Sequence, residues 1–191
     1  MKEIKHLYFK NDTEWRKWLH ENHANYKGIY LIFYKVDHEK ESMRWEEAVQ
    51  VAICYGWIDS TVKSLGDGKR QQYFSPRNPK SVWSKLNKNY IVNLTAKGLM
   101  QPSGLEKIKI AKENGSWVIL DDVENGIIPQ NLQDAFSKNP KAYSNYKGFS
   151  KSYQKGYLYW LKQAKREETK QKRIQKIIQF CNDNIKSREN W

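Results

Sequence analysis

The apolar positions of the N-terminal half change period along the chain, which predicts a mixture of helices and strands. Trp15, Trp18 and Leu19 recur at helical spacing behind the capping pair Asn11-Asp12. Ile29 to Tyr34 is an unbroken run of β-branched and aromatic residues, as in a strand covered on both faces. We therefore predict the central strand at this run, and a short edge strand over residues 7–9.

A helix followed by a hairpin is predicted in the middle of this half. Residues 45–53 repeat apolar side chains at helical spacing, and Gly56 ends the helix because glycine takes the left-handed conformation at low cost. Residues 57–65 and 70–75 flank the turn Gly66-Asp67-Gly68. Two glycines able to adopt positive φ make this turn typical of a β-hairpin.

A domain boundary is predicted near residue 100. A helix that begins at Ser81 or Ser84 ends at Gly98, and the turn residues Gln101-Pro102-Ser103-Gly104 follow it. We therefore expect one domain over residues 1–100 and a second over residues 101–191.

Nearly every apolar period beyond that boundary is helical. Residues 117–120 are the one segment there with strand character. Helices are predicted over residues 105–114 and after the starting or capping residues Pro129, Asn139-Pro140, Ser150 and Thr169. The predicted fold class is α+β, with an N-terminal antiparallel sheet and flanking helices followed by an all-helical C-terminal region.

The charge of the chain raises the prospect of an anionic partner. The chain has 34 Lys+Arg and 21 Asp+Glu, a net charge of +13 and a pI near 9.6. Such a balance favours nucleic acid or a phosphorylated surface as partner, although a Lys-rich face is also a common solubility feature. The candidate basic patch lies on the outer faces of the last two helices: Lys162, Lys165, Arg166, Lys170, Lys172, Arg173 and Lys176.

Cysteine usage and hydropathy limit the class of protein. Cys54 and Cys181 each lie on an apolar helical face, so we predict two buried free thiols and no disulfide framework or zinc site. No apolar run approaches the length of a membrane span, and no apolar leader follows Met1. We expect a cytoplasmic protein, monomeric or weakly dimeric, without a membrane span and without a cofactor.

One constellation in the N-terminal half suggests a ligand site. An indole-walled groove that carries Arg and Lys could stack a flat ring and hold an anionic group. The candidate residues are Trp57, Asp59, Arg77, Trp83, Lys85 and Asn87. The alternative is that both indoles are core residues and that Asp59 and Arg77 form a structural ion pair across the hairpin.

The sequence offers little for catalysis or for metal binding. No serine or cysteine stands in a nucleophile motif, and the glycines at 66 and 68 lie in a hairpin rather than before a helix. His20 and His23 have spacing that a metal permits, but no carboxylate or cysteine pattern completes the set. We predict no catalytic and no metal residues, and we lean towards a protein that is not an enzyme.

Several motifs together resemble the bacterial YdeI/OmpD-associated family, also labelled bacteriocin-protection proteins. They cover nearly the whole chain: Trp15 to His23, Trp45 to Val49, Cys54 to Asp59, Phe74 to Arg77, Trp83 to Asn87, Gly98 to Met100 with Pro102 and Gly104, Phe149 to Thr169, and Arg173-Ile174. One departure is Arg44, which stands where that family usually has Ser or Thr before the helix.

This resemblance implies an N-terminal domain similar to the YjbR/CyaY-like, or frataxin-like, group and a helical C-terminal region. It implies a stress or antimicrobial-resistance role, and with the basic surface expected from the charge we predict a binding module in such a role. The frataxin-like likeness also raises the alternative of a small-molecule or iron-handling protein that uses the N-terminal groove. The acids nearest to an iron-binding cluster are sparse: Glu39, Glu41, Glu46, Glu47 and Asp59.

Overall fold

The structure is a computed structural model that describes residues 4–187, and it divides into two compact units between Val118 and Ile119. In the first unit the elements are, in chain order, β1 His6–Tyr8, α1 Asp12–Asn22, β2 Ile29–Tyr34, α2 Trp45–Cys54, β3 Trp57–Gly66, β4 Lys69–Pro76, α3 Lys85–Ala96 and α4 Pro102–Glu113. In the second unit they are α5 Asp121–Glu124, α6 Gln130–Ser137, α7 Pro140–Gly148, α8 Lys151–Lys162 and α9 Glu167–Asn182. The predicted α+β class is confirmed.

The four strands form one mixed sheet in the order β1-β2-β4-β3. β4 pairs antiparallel with both β2 and β3, but β1 runs parallel to β2, with Leu7 opposite Leu31. The prediction of an antiparallel sheet is therefore correct for two of the three strand pairs and wrong for the pair β1–β2. The reason is that α1 connects β1 to β2 and carries the chain back to the same end of the sheet, as a crossover between parallel strands requires.

The local turn chemistry behaves as the sequence predicts. The β3–β4 hairpin turns at Gly66, Asp67 and Gly68, and all three have positive φ. Gly56 ends α2 with φ 73°. Arg44 supplies no side-chain cap to α2; instead the Glu47 carboxylate accepts a hydrogen bond from the Arg44 backbone N–H at 2.6 Å.

Helix starts agree with the predicted caps in three places and differ in one. The side chains of Asn11, Ser84 and Ser150 each accept a backbone N–H of the first turn, at 3.0, 3.2 and 3.4 Å. The last helix, however, begins at Glu167 rather than after Thr169, because its first turn carries two glutamates that the helix dipole favours there.

Residues 117–120, the one C-terminal segment with strand character, do not form a strand, in agreement with the predicted all-helical C-terminal region. These residues make a turn that leads into α5, and the Trp117 ring packs against Trp83 with ring centroids 5.2 Å apart.

Each unit has its own apolar core. In the first unit, α1 and α2 cover one face of the sheet, and the largest fully buried side chains there include Trp15, Trp57, Phe74, Leu19 and Ile29. The core of the second unit lies between its helices and includes Leu132, Phe136, Tyr157, Leu161, Ile177 and Cys181. Cys54 and Cys181 are both free and buried, as predicted.

Helix α4 belongs to the first compact unit, although the predicted boundary lay just before it. The Gln101 N–H donates to the carbonyl of Cys54 at 3.1 Å, and Gly104 packs directly on the last turn of α2. The turn residues 101–104 are thus the first turn of a helix packed on α2. Within residues 4–187, no helix is both long enough and apolar enough to cross a membrane.

Candidate functional site

The open groove that the sequence suggested in the first unit is not formed. Trp57, Arg77 and Trp83 are only 1%, 3% and 2% exposed. Trp57 lies edge-on to Trp15, and its indole N–H donates to the carbonyl of His23 at 3.1 Å. Trp57 is therefore a core residue, and its buried ring cannot stack on a ligand.

Asp59 is held by two neighbouring side chains. Its Oδ2 accepts a hydrogen bond from the Trp45 indole at 2.9 Å and another from the Gln72 amide. Asp59 makes no direct ion pair with Arg77 among the described contacts, but its charge acts on the Arg77 guanidinium through space. The predicted ion pair across the hairpin is therefore an indirect one.

Arg77 is a buried cation with incomplete hydrogen bonding. Its guanidinium lies 3.6 Å from the centre of the Trp83 ring, and Nη1 donates to the carbonyl of Val82 at 3.0 Å. Nε and Nη2 have no hydrogen-bond partner within the described chain. Burial lowers the pKa of Arg77 to about 10, and the Asp59 carboxylate acts in the opposite direction.

The other two predicted groove residues lie at the start of α3. Lys85 is exposed, and Asn87 is half-buried with its backbone N–H bound to the cap Ser84 at 3.2 Å. The structure thus brings Arg77 and Trp83 together and places Trp57 in a different aromatic cluster. Sequence reasoning missed Trp117, which packs against Trp83 with the two rings tilted by 48° and could be identified only once the end of α4 was located.

The charge interaction between Asp59 and Arg77 is testable with a double-mutant cycle. Asp59→Asn keeps an acceptor oxygen but removes the negative charge, and Arg77→Met keeps much of the volume but removes the buried positive charge. We expect Asp59→Asn to cost about 1 kcal/mol more in the wild type than in the Arg77→Met background, because only the wild type retains a buried cation that needs the anion. Urea unfolding of the four proteins measures this difference, and strictly additive effects would contradict it.

The predicted basic patch of the second unit divides into paired and unpaired side chains. Lys170 and Lys172 bind Glu167 and Glu168 at 2.9 and 2.6 Å. Arg173 donates to the carbonyl of Trp160 and lies 5.2 Å from the centre of its ring. Four members are exposed and have no acidic partner among residues 4–187: Lys162, Lys165, Arg166 and Lys176.

These four side chains are called the α8–α9 basic surface below. Lys162 ends α8, Lys165 and Arg166 lie in the connection, and Lys176 projects from α9. Lys176 shares a helix side with Lys172, four residues earlier. None of these four cations forms an ion pair within residues 4–187.

A cavity of about 350 Å³ lies beside this surface in the second unit. Its apolar lining comes from Val123, Ile127, Pro129, Leu158, Leu161 and Ala164. Its polar lining comes from Asp122, Asn131, Lys162 and Lys170. Sequence reasoning missed this cavity; the available signal was Ile127-Ile128 after Gly126, an apolar pair outside any helical period.

The first unit has a polar cleft of about 360 Å³ between the starts of α1 and α2. Its charges are largely balanced within the cleft: Lys10 binds Glu41 at 2.7 Å, and the Lys40 ammonium lies 4.1 Å from the centre of the Tyr8 ring. The hydrogen bond between Lys10 and Glu41 raises the pKa of the lysine. Two of the lysines that line the cleft are thus already engaged, one in an ion pair and the other in a cation–π contact.

The histidine and carboxylate candidates for metal binding are not brought together. The rings of His20 and His23 both contact Tyr55, at 6.3 and 5.4 Å between centroids. Glu41 pairs with Lys10, and Glu47 binds the backbone at the start of α2. Within the described residues, no group of three or more His, Cys, Asp or Glu side chains is placed to hold a metal ion.

Two family models match different parts of the chain. A family model described as Domain of unknown function (DUF8412) matches residues 7–107, which is more than half of the chain. The chain belongs to this DUF8412 family. In this DUF8412 protein, the family match contains β2, β3, β4 and all of β1 except His6, together with the half-buried Asp59 and the buried Arg77 and Trp83.

A second family model, described as Bacteriocin-protection, YdeI or OmpD-Associated, matches residues 125–184. The predicted resemblance to that family is therefore supported for this part of the chain, which contains the α8–α9 basic surface and most of the cavity lining. The likeness of the N-terminal region to the YjbR/CyaY-like group stays a prediction. Comparison with curated proteins and with solved structures gave no match.

Proposed function

We propose that this protein is a binding module that holds nucleic acid through the α8–α9 basic surface. The observation that supports it is the set of exposed cations at Lys162, Lys165, Arg166 and Lys176, which have no acidic partner among residues 4–187. Surface cations without an ion-pair partner bind the phosphates of a nucleic acid and displace the counterions held there. The release of these counterions favours association. The net charge of +13 adds a long-range attraction for the same partner.

Recognition of this kind does not depend on base sequence. Lysine and arginine side chains on the exposed sides of a helix pair contact phosphates, and they do not reach base edges in the way that a helix seated in the major groove does. We expect slight sequence preference and strong dependence on salt.

The alternative, a small-molecule or iron-handling protein that uses the N-terminal groove, has weaker support. It needs Trp57, Arg77 and Trp83 to line an open cleft, and all three are buried. Iron also needs several converging oxygens, whereas the carboxylates of Glu41, Glu47 and Asp59 each have another partner.

The test is a fluorescence-anisotropy titration of a short single strand and a duplex across a salt series. The surface variant carries Lys165→Gln, Arg166→Gln and Lys176→Gln; Arg173 stays because it binds the Trp160 carbonyl. We expect the surface variant to bind about tenfold more weakly near 50 mM salt, and the log–log salt slope to fall by about 2.

A matched control removes the same charge from the first unit, through Lys63→Gln, Lys97→Gln and Lys109→Gln, all at exposed positions. Its affinity should change by less than about twofold at the same salt. Equal losses in both variants would attribute binding to net charge alone. Undetectable binding at about 50 mM salt, or binding to anionic lipid vesicles without binding to either strand, would contradict the nucleic-acid proposal.

The cellular role is proposed from the second family match, whose description names bacteriocin protection and whose range includes the basic surface. We place this binding in the cytoplasm of a bacterium, in a stress or antimicrobial-resistance role. A deletion strain complemented with the wild type should survive a cationic antimicrobial peptide better than one complemented with the surface variant, and equal survival would contradict the role.

A further inference from the structure

The cavity of the second unit has the composition of a small-molecule site. Its volume of about 350 Å³ falls within the range of about 300–1,000 Å³ that such sites occupy. Apolar side chains from α5, α8 and the segment before α6 form most of its lining, including Val123, Leu158 and Leu161. Ile127 also lines it and is 53% exposed, so an apolar side chain stands at the boundary between the cavity and solvent.

The polar lining selects the charge of the occupant. Lys162, Lys170 and Asn131 line the cavity, and Asp122 is the one acid among its lining residues. Lys162 has no acidic partner within the described chain, and Lys170 pairs only with Glu167 at the surface. An exposed ion pair of that kind is weak, so a ligand anion competes for Lys170 at little cost.

The balance of these charges favours a single negative charge. Two lysines against one aspartate leave a surplus of one positive charge among the lining residues, and a ligand anion gains this charge when it displaces Glu167 from Lys170. A polyphosphate would set several charges beside Asp122, whereas a monocarboxylate needs only the two ammonium groups. Apolar walls exclude water from the ligand body, and this contribution scales with the apolar area covered.

We propose that this cavity binds a small monoanionic acid with an apolar body, its carboxylate at Lys162 and Lys170 and its body against Leu158, Leu161 and Ile127. This site goes beyond the nucleic-acid surface proposed above, because its ligand class and most of its residues are different. It shares Lys162 with that surface.

The test uses octanoate as the anionic probe and 1-octanol as its uncharged counterpart, titrated into the full chain. Methyl NMR spectra should show saturable shifts at Leu158, Leu161 and Ala164 with both probes. The double variant Lys162→Gln, Lys170→Gln should bind octanoate about fivefold or more weakly and change its affinity for octanol by less than about twofold.

A matched pair of isoleucine variants tests the apolar wall. Ile127→Gln should weaken octanoate and octanol alike, by about fivefold, because the lost contact is apolar. Ile119→Gln changes another exposed isoleucine of the same unit, 38% exposed, that does not line the cavity, and both affinities should stay as in the wild type.

The outcomes separate this site from the basic surface. The variant with Lys165, Arg166 and Lys176 changed to Gln should bind octanoate as the wild type does, whether or not it binds nucleic acid. The proposal would be overturned if octanoate binding to the wild type did not saturate, or if the methyl shifts were confined to residues away from the cavity. It would also be overturned if the double lysine variant lost affinity for octanoate and for octanol equally.

Discussion

Gly104→Ala is expected to lower the free energy of unfolding by about 3 kcal/mol or more. A Cβ at this position would lie 2.2 Å from the carbonyl oxygen of Cys54 and 2.8 Å from that of Ile53. Both atoms are backbone at the end of α2, so no flexible side chain can move aside. The clash is relieved only if α4 moves away from α2, which breaks the hydrogen bond from Gln101 to Cys54 and opens the packing of Ile108.

Gly148→Ala is the matched control for this substitution. Gly148 is also helical, at the end of α7, and a Cβ there meets no atom within 4 Å. Alanine should leave stability unchanged or raise it by about 0.5 kcal/mol, since it restricts the unfolded chain. Urea unfolding followed by far-UV circular dichroism measures both. A Gly104→Ala protein within about 0.5 kcal/mol of the wild type would contradict the close contact between α2 and α4.

Gly104 also illustrates where sequence reasoning fails. Proline and glycine in Gln101-Pro102-Ser103-Gly104 suggested a turn, hence a boundary between domains. The same two residue types also suit the start of a closely packed helix. Proline is favoured at the first position of a helix, and glycine allows a neighbouring backbone to come close. Only the position of Cys54 in space distinguishes these two uses, and that position is set by residues far along the chain.

The predictions that succeeded depend on local chemistry. Asn11, Ser84 and Ser150 cap their helices because a side-chain oxygen reaches an N–H of the same turn. The hairpin turn at residues 66–68 follows from its glycines. The parallel pairing of β1 with β2 is different in kind, since it depends on where α1 returns the chain.

The candidate sites show the same limit. Trp57, Arg77 and Trp83 have the chemistry of a groove, but burial is decided by their neighbours: Trp15 covers Trp57, and Trp117 covers Trp83. The cavity of the second unit could not be found from any one segment, because four elements and two connections supply its lining. The exposure of charged side chains was easier to predict, since a lysine on the outer side of an amphipathic helix faces solvent whatever the helix packs against.

Cys181→Ala is expected to reduce the loss of stability at alkaline pH by about 2 kcal/mol between about pH 8 and about pH 10.5. Burial raises the pKa of the Cys181 thiol from its ordinary 9.0 to about 12. The unfolded thiol therefore loses its proton first, so rising pH favours the unfolded state. The contribution is complete below about pH 9 and is lost as the pH rises towards about 12.

Cys54→Ala is the control for this pH dependence. Burial also raises the pKa of Cys54, but the Arg16 guanidinium, with Nη2 3.9 Å from Sγ, stabilises its thiolate and offsets part of the rise. Both alanine variants lose core packing at every pH, so the quantity to compare is the change in the free energy of unfolding between the two pH values. Burial raises the pKa of Tyr146 in the same core as Cys181, so the Cys181→Ala protein should keep part of its alkaline sensitivity. An equal pH dependence in the wild type and in Cys181→Ala would mean that the thiol at position 181 is accessible to water.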